Sequence, residues 1–362
     1  MLRNGYHRLN FFREALTILA PVILAFAADA QTANPTVTPT PLPNKEIHRW
    51  FDIEDLRLST RYRYLRSNAG MTLSNQQQWQ VNGRARFKFD KNGNYSVVAA
   101  IETGNTINGG WNNTGWGTGD LQTNVYLKQL YFDAKPFKSL EIQFGGLGVN
   151  NGENTEITGY DNDAYLMGER IIFRNAGKLW FDEISATNGF VGDIDRPNVF
   201  RRFIRLGRSN YHQLLVRKKI NSRVGFSADY TFEAGTDTLR EAVKATVKEL
   251  KFVDTLLFEN YQRLDPDAGY GFALTGDKRI NSRFNIVGGF AKISHQMING
   301  DRYPRGERVF LSGVYKIFPE LSLNPIIIQG VGPLATPAAH RTRFEFIVTY
   351  NILEALHRHH IF

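Results

Sequence analysis

Hydrophobic and polar residues alternate with a period of two over long stretches of this chain. Between residues 56 and 64 one side of the pattern is apolar or aromatic, and the other side is mostly arginine. Residues 78–89 repeat the alternation, with Trp79, Val81 and Phe87 on the apolar side. A period of two is that of a β-strand, and both stretches exceed the length usual in soluble proteins. They have the length of tilted strands that cross a bilayer.

The same alternation recurs along the rest of the chain, and the connections between the segments alternate between short and long. Alternation is weakest at residues 126–133 and 239–248. The pattern predicts an all-β fold, a transmembrane antiparallel β-barrel of about sixteen strands, with a range of about fourteen to eighteen. An even number of strands puts both chain ends, and the short turns, on the periplasmic side, with the long loops outside. The alternative is a soluble sandwich or barrel with one wet face. Short connections are predicted at residues 90–94, 134–139, 175–178, 219–222, 277–282 and 318–320, and long ones at residues 67–75, 104–123, 145–165, 188–210, 294–307 and 330–341.

The first fifty residues do not follow this pattern. A basic start with Arg3 and Arg8 precedes an apolar run at residues 15–27, which is followed by Ala28 and Ala30. This order is typical of a secretory signal peptide, and the run is too short to span a bilayer. We predict a cleaved signal peptide at residues 1–30, a Pro- and Thr-rich periplasmic lead-in at residues 31–50, and the transmembrane β-barrel at residues 51–362.

Composition narrows the class of protein further. The chain has 362 residues, a formal net charge of +9 and no cysteine. The absence of cysteine excludes a disulfide scaffold and cysteine-based metal sites. No apolar stretch reaches the length of a transmembrane helix. Several aromatic residues, among them Tyr62, Phe89 and Tyr230, fall near strand ends, as in the aromatic girdles of outer-membrane barrels.

The leader, the alternating strands, the alternation of short and long connections and the terminal Phe362 together resemble a bacterial outer-membrane porin. One departure is that residues 354–362 follow the last alternating segment, whereas porins end on that strand. Alginate-export-type channels are a related possibility. The resemblance implies a Gram-negative outer-membrane location, ion and solute transport without a cofactor, contact with outer-membrane lipid and lipopolysaccharide, and a homotrimer.

A basic wall is the first candidate functional feature. If the apolar side of the first two strands faces lipid, their cationic side chains face the lumen, because charge facing lipid near the midplane costs about 2–4 kcal/mol each. The alternative is that these cations pair with acidic groups on neighbouring strands. The predicted pore-lining basic residues are Arg57, Arg61, Arg63, Arg84, Arg86 and Lys88.

An acidic loop at residues 145–169 is the second candidate feature, since it contains neither lysine nor arginine although the chain as a whole is basic. In porins the loop at this place folds into the barrel and narrows it. The resemblance therefore implies that four acids oppose the basic wall across a constriction: Glu153, Glu156, Asp161 and Asp163. The alternatives are an ordinary surface loop and a calcium site at Asp161 and Asp163.

Two other segments have unusual composition. Residues 196–219 are rich in arginine and lysine and free of acids, which favours binding of lipopolysaccharide phosphates, attraction of anions or a place in the lumen. An exported compartment argues against nucleic acid. Residues 104–120 are rich in Gly and Asn and carry Trp111 and Trp116. We expect a flexible outer loop there, with a carbohydrate platform as the alternative.

No hydrolase, zinc-protease or nucleotide-binding motif is present in the sequence. The histidines at positions 357, 359 and 360 are expected to form a solvated tail, so we predict no catalytic, cofactor or metal residue. The sequence favours a channel for passive diffusion of small hydrophilic, including anionic, solutes. A channel selective for an acidic saccharide or phosphate, and a barrel enzyme or adhesin, remain the alternatives.

Overall fold

The fold consists almost entirely of β-strands. The computed structural model describes residues 50–107, 109–160, 165–175, 179–247, 249–264, 269–294, 296–297, 303, 305–332 and 340–359. The strands are β1 (Phe51–Ser67), β2 (Thr72–Lys88), β3 (Tyr95–Thr103), β4 (Asn112–Gly117), β5 (Val125–Phe137), β6 (Leu140–Gly148), β7 (Tyr165–Arg174), β8 (Glu183–Phe190), β9 (Tyr211–Lys219), β10 (Val224–Glu233), β11 (Thr236–Thr246), β12 (Thr255–Arg263), β13 (Tyr270–Arg279), β14 (Phe284–Ile293), β15 (Gly306–Lys316), β16 (Leu321–Gly330) and β17 (His340–Asn351). Helical segments are α1 (Val199–Arg202), a 3₁₀ turn (Phe203–Arg205) and α2 (Ile352–Arg358).

These strands form one closed antiparallel sheet. Except around β4, each strand pairs with its neighbours along the chain; β3 pairs with β5, and β1 pairs with both β2 and β17. β4 pairs with β2 beyond the end of β3, so β3 and β4 occupy one interrupted position. The barrel therefore has 16 strand positions and one extra strand. This confirms the predicted all-β barrel of about sixteen strands.

The two faces of the sheet differ in chemistry, as the alternation predicts. Leu58 is 45% exposed and Phe87 47%, which confirms the predicted outward orientation of the apolar side of β1 and β2, and Phe346 of β17 is 38% exposed on the same face. Tyr62 lies opposite Phe346 and therefore shares that face. The inner face carries most of the buried charged and polar side chains, including Arg61, Gln80, Asp133, Arg170, Asp229, Glu259 and Glu345.

The connections differ between the two rims. At the rim where β1 begins and β17 ends, the described turns are mostly short, as between β5 and β6 or between β9 and β10. The opposite rim has the long connections after β6, β8 and β14. We name these the short-turn rim and the long-loop rim. Their asymmetry agrees with the predicted arrangement of short turns and long loops.

Two of the predicted long loops are wrong in detail. The connection after β1 comprises only residues 68–71, because the Ser67 hydroxyl accepts a hydrogen bond from the Met71 amide at 3.0 Å and closes a tight turn. Residues 104–123 contain β4, whose side chains include three of small size and therefore gave no clear alternation. Alternation in the sequence reveals a strand only when large side chains point to one face at every second position. β4 lacks such a row of large side chains.

The chain continues beyond the closing strand. Asn351 caps α2 by accepting a hydrogen bond from the Glu354 amide at 3.1 Å, and Arg358 binds Glu320 at 2.8 Å. Phe362 and residues 1–49, with the predicted signal peptide and most of the lead-in, lie outside the described residues. Within the described residues, no helix is both long enough and apolar enough to cross a membrane.

Candidate functional site: the barrel lumen

A buried ion network lies where the first and last strands meet. Arg61 and Arg63 of β1 both reach Glu345 of β17, with nitrogen–oxygen distances of 3.1 Å and 2.7 Å. Arg343, two residues before Glu345 on the same strand, binds it at 2.8 Å. All four side chains are buried on the inner face. Glu345 compensates part of this positive charge, and the burial of all four side chains keeps them from direct contact with a passing ion.

A second ion network lies nearer the short-turn rim. Arg84 and Arg86 of β2 both bind Glu54, at 2.7 Å and 2.5 Å. Arg86 also binds Asp133 of β5 at 2.6 Å. Glu54 lies in a β-bulge between Ile53 and Asp55, where the register of β1 shifts against β2. The bulge adds an inward acid that strict alternation does not reveal.

All six predicted basic-wall residues therefore have an acidic partner. Besides the four already described, Arg57 binds Asp55 at 2.6 Å, and Lys88 forms an ion pair with Asp52. The wall is basic in composition, but its charge is largely compensated. Arg84 and Arg57 retain 36% and 46% side-chain exposure, whereas Arg61 retains 2%. A role of these residues in lining the conducting path stays a prediction.

The segment of residues 149–160, between β6 and β7, lies inside the barrel. The Glu153 amide donates to the Ser227 hydroxyl at 2.9 Å. Glu259 accepts from the Thr155 amide at 2.6 Å and from the Thr158 hydroxyl at 2.7 Å. Arg240 donates to the Thr158 carbonyl at 3.0 Å. Because these partners belong to the inner faces of β10, β11 and β12, the segment, here termed the inner loop, lies along that side of the lumen.

The predicted constriction acids occupy different surroundings. The carboxylate of Glu153 points toward β11, where Lys244 Nζ lies 4.0 Å away. Glu156 is half-buried beside Ile157. Asp161 and Asp163 lie outside the described residues. The predicted opposition between these acids and the basic wall stays a prediction.

A second inward segment interrupts the β3–β4 position. Lys128 of β5 donates to the Gly109 carbonyl at 2.8 Å, and the Thr103 hydroxyl donates to the Gly110 carbonyl at 2.5 Å. A side chain at Gly104, where φ is +92°, would place its Cβ 1.9 Å from the Gly109 oxygen, so only glycine fits this turn. Residues 104–107 and 109–111 form what is termed the β3–β4 insert.

The expectation of a flexible outer loop at residues 104–120 is wrong for Trp111. Its ring is half-buried and lies under the Arg61 guanidinium, 4.1 Å from the carbon to the ring centroid. Trp116, in contrast, is 58% exposed. No local sequence pattern predicts this difference, because Arg61, the partner of Trp111, is fifty residues away in the chain.

An apolar wall faces these two inserted segments. Ile157, at the tip of the inner loop, packs into a buried cluster, and Trp111 packs against the same cluster. The other members come from the inner faces of β13 to β17 and the connection before β15: Ala273, Ala291, Tyr303, Phe310, Ile326, Ile328 and Ile347. Alternation on β16 confirms the orientation, since Ile327 is 44% exposed between the two buried isoleucines. The inner loop and the β3–β4 insert thus converge on one apolar surface.

Open space remains between the inner loop and the short-turn rim. A cavity of about 480 Å³ lies at the ends of β7 to β11, and we name it the inner cavity. Its lining includes the cations Arg174, Arg217 and Lys244 and the acids Glu153 and Glu183. Arg217 supports the inner loop by donating to the Gly152 carbonyl at 3.0 Å. Among the described residues, no group of three or more His, Cys, Asp or Glu is placed to hold a metal ion.

Comparison with known proteins gives similarity in fold and none in sequence family. No family model matches the chain, and no curated protein matches it. A mutant of the Rhodopseudomonas blastica porin superposes with a TM-score of 0.53, 10% identity, and coverage of 83% of this chain and 99% of that chain. Pseudomonas putida OprB at low pH gives 0.53 and 10%, with coverage of 84% and 93%. A structure described as "Asymmetric conductivity of engineered proteins" gives 0.52 and 10%, with coverage of 83% and 99%. The chain has the fold of porins.

Proposed function

We propose that this protein is a porin-like channel of the outer membrane, through which small hydrophilic solutes diffuse. The observation that carries the proposal is the closed barrel whose inner face carries most of the buried polar and charged side chains and whose inner loop lies inside. Water-filled barrels have an apolar outer band and a polar interior, and this sheet has both. Solved structures with the same fold include porins.

The proposed location has separate support. Large apolar side chains such as Phe132, Ile171 and Leu311 are exposed on the outer face, which suits lipid and not water. We propose that residues 1–30 are removed on export and that residues 31–50 remain in the periplasm. N-terminal sequencing of the protein recovered from outer membranes tests this proposal, and a start at Met1 contradicts it.

Planar-bilayer recording tests the channel directly. The purified full chain is expected to insert and give discrete conductance steps in potassium chloride. A protein that is folded and inserted, as judged by its resistance to protease, but never conducts would contradict the proposal and favour a barrel enzyme or adhesin. We propose that it is not an enzyme, because its structural neighbours are channels and its sequence has no catalytic motif.

A channel selective for an acidic saccharide or phosphate is the second candidate. The inner cavity favours it, because Arg174, Arg217 and Lys244 retain 44%, 36% and 54% side-chain exposure and can meet an anion. Block of the conductance by an oligouronate at micromolar concentration, without block by a neutral oligosaccharide of the same length, would support selectivity. Equal effects of the two saccharides support simple diffusion.

The assembly and its surroundings are also proposed. A homotrimer and contact with lipopolysaccharide follow from the resemblance to porins. Cross-linking of the protein in native outer membranes is expected to give a species of three chains. A single chain at all cross-linker concentrations contradicts the trimer and leaves the channel proposal unaffected.

A further inference from the structure

The helical part of the basic connection between β8 and β9, residues 199–205, lies against the outside of the barrel. Val199 of α1 packs against β6 so closely that a Cβ at Gly146 would lie 2.5 Å from its Cγ2 atom. Gly146 alternates along β6 with the outward, exposed Phe144 and Ile142. Arg205 stacks its guanidinium over Phe190, 5.1 Å from the ring centroid, at the end of β8. This helical part therefore covers the outer face near the long-loop rim, whereas the Ile194 carbonyl earlier in the connection accepts a hydrogen bond from the Ile107 amide of the β3–β4 insert at 2.9 Å.

Below this connection the outer face changes from apolar to polar. Ile171 of β7 and Leu214 of β9 are 50% and 47% exposed on the outer face. One pair further toward the long-loop rim, Asn188 donates to the Glu169 carboxylate at 3.1 Å, and the Ser209 hydroxyl donates to Asn188 Oδ1 at 2.6 Å. A polar band directly above an apolar surface is the profile expected at the head-group level of a bilayer.

The connection itself exposes both apolar and cationic side chains. Phe200 and Ile204 are 59% and 67% exposed. Arg201 and Arg208 are exposed beside them, and the described part of the chain gives their side chains no ion pair. Arg205 differs, because it binds Asp193 at 2.6 Å, and this hydrogen bond holds the pKa of the Asp193 carboxyl below its ordinary value. Two uncommitted arginines thus stand beside two exposed apolar side chains.

We propose that this surface binds a phosphate-bearing lipid of the outer leaflet. Arg201 and Arg208 would bind the head-group phosphate, because a guanidinium forms paired hydrogen bonds with phosphate oxygens. Phe200 and Ile204 contact the first carbons of the acyl chains, which continue along Ile171 and Leu214. The charge of the surface complements the lipid, and its apolar part is continuous with the lipid-facing barrel. The inference relies on the proposed outer-membrane location but not on conduction.

The test measures binding of fluorescent lipid A to the purified full chain in detergent. The variant Arg201→Ser/Arg208→Ser is expected to bind lipid A about ten- to thirty-fold more weakly, since each cation near an anionic head group contributes about 1 kcal/mol. A matched control, Lys251→Ser/Lys316→Ser, removes the same charge at exposed positions of the short-turn rim and is expected to bind like the wild type. The variant Phe200→Ser/Ile204→Ser tests the apolar half and is expected to bind more weakly as well.

Three further arms separate the ligands. Lipid A without phosphates is expected to bind weakly to the wild type, with the affinity that complete lipid A shows for the double arginine variant. If the wild type binds lipid A with and without phosphates equally well, the proposed phosphate contact is wrong. Inorganic phosphate at millimolar concentration is expected not to displace lipid A, and full displacement shows a free-phosphate site instead. A shift of the double arginine variant to a smaller oligomer shows that a second copy occupies the surface. Conductance of every variant is expected to equal that of the wild type, so loss of lipid binding and failure of the channel are distinguishable.

Discussion

The inner face of the barrel has two walls that differ in the chemistry of their buried side chains. On β1, β2 and β17 the inward side chains are cations and acids that compensate one another, with Glu345 shared by Arg61 and Arg63. On β13 to β16 the inward side chains include a buried apolar cluster, which receives Ile157 and Trp111 from the two inserted segments. The two walls meet on β17, where Glu345 and Ile347 are neighbours on the inner face. Alternation determines which residues face inward, whereas the segments that fold into the lumen determine which chemistry is needed there.

The largest effect is expected from breaking the charged wall at its shared acid. Glu345→Gln leaves three buried arginines without their carboxylate, and removing one partner of a buried ion pair costs about 3–5 kcal/mol. Urea unfolding of the barrel, followed by tryptophan fluorescence, measures the loss of free energy. Glu249→Gln is the control, because its ion pair with Arg223 is 60% exposed on the acid side and such pairs contribute less than about 1 kcal/mol. Equal effects of the two changes would show that the buried network contributes nothing special.

The next effect is expected from the apolar wall. Ile157→Ala removes the side chain that fixes the tip of the inner loop, and truncation of a buried isoleucine costs about 2 kcal/mol or more. The loosened loop should also raise single-channel conductance in planar bilayers. Ile327→Ala changes the same residue type on the outer face of β16 and should leave conductance as it is. If the two variants conduct alike, the inner loop does not limit the pore.

The two tryptophans of the interrupted strand sharpen the comparison. Trp111→Ala removes the contact between the Trp111 ring, which packs against the apolar wall, and Arg61 of the charged wall. A cation–π contact of this kind contributes about 1–2 kcal/mol when it is shielded from water. Trp116→Ala should cost much less, since that ring is 58% exposed. Iodide quenching of fluorescence separates them: Trp116 is expected to be accessible and Trp111 protected. Equal quenching of the two would show that the β3–β4 insert does not hold Trp111 inside.

The smallest effect concerns ion selectivity near the short-turn rim. Arg84→Ser/Arg86→Ser leaves Glu54 and Asp133 without these cations, so the reversal potential in a salt gradient should shift toward cations. The shift should be on the order of a few millivolts at 0.1 M salt and smaller at 1 M, where the Debye length falls to about 3 Å. Glu54→Gln should shift the potential in the opposite direction. An unchanged potential in both variants would remove these residues from the conducting path.

Sequence reasoning found the sheet more completely than it found the contents of the lumen. Alternation was clear in β1 and β2 because large apolar and charged residues face opposite sides, and it was weak in β11, where Ala242 and Ala245 replace large side chains. The inward position of Glu54 was not predicted, because a bulge in β1 interrupts the period of two. Glu345 escaped as the partner of Arg63 because 282 residues separate them. Such pairs depend on register around a closed sheet, which no local pattern contains.

The position of Ile157 shows the same limit from another side. Its segment was singled out for its acids, and the resemblance to porins directed attention to their charge. The structure instead anchors the segment through hydroxyl groups, main-chain amides and one isoleucine, with Thr155 and Thr158 both bound to Glu259. The acidic composition identified the segment that lies in the lumen, but contacts other than those of its acidic side chains hold it there.

The pairing of β1 with β17 also determines when the barrel closes during folding. The hydroxyl groups of Ser59 and Thr349 lie 3.0 Å apart across this seam, although 290 residues separate them in the chain. Contacts so distant form late, and until they form the sheet has two open edges that can pair with another chain. Because the chain contains no cysteine, Ser59→Cys/Thr349→Cys would introduce a single disulfide that forms only after the seam has closed. The rate at which this disulfide forms would report the rate of the last step of folding. The ion network around Glu345 lies in the same seam, so it forms in that step and stabilises the closed sheet.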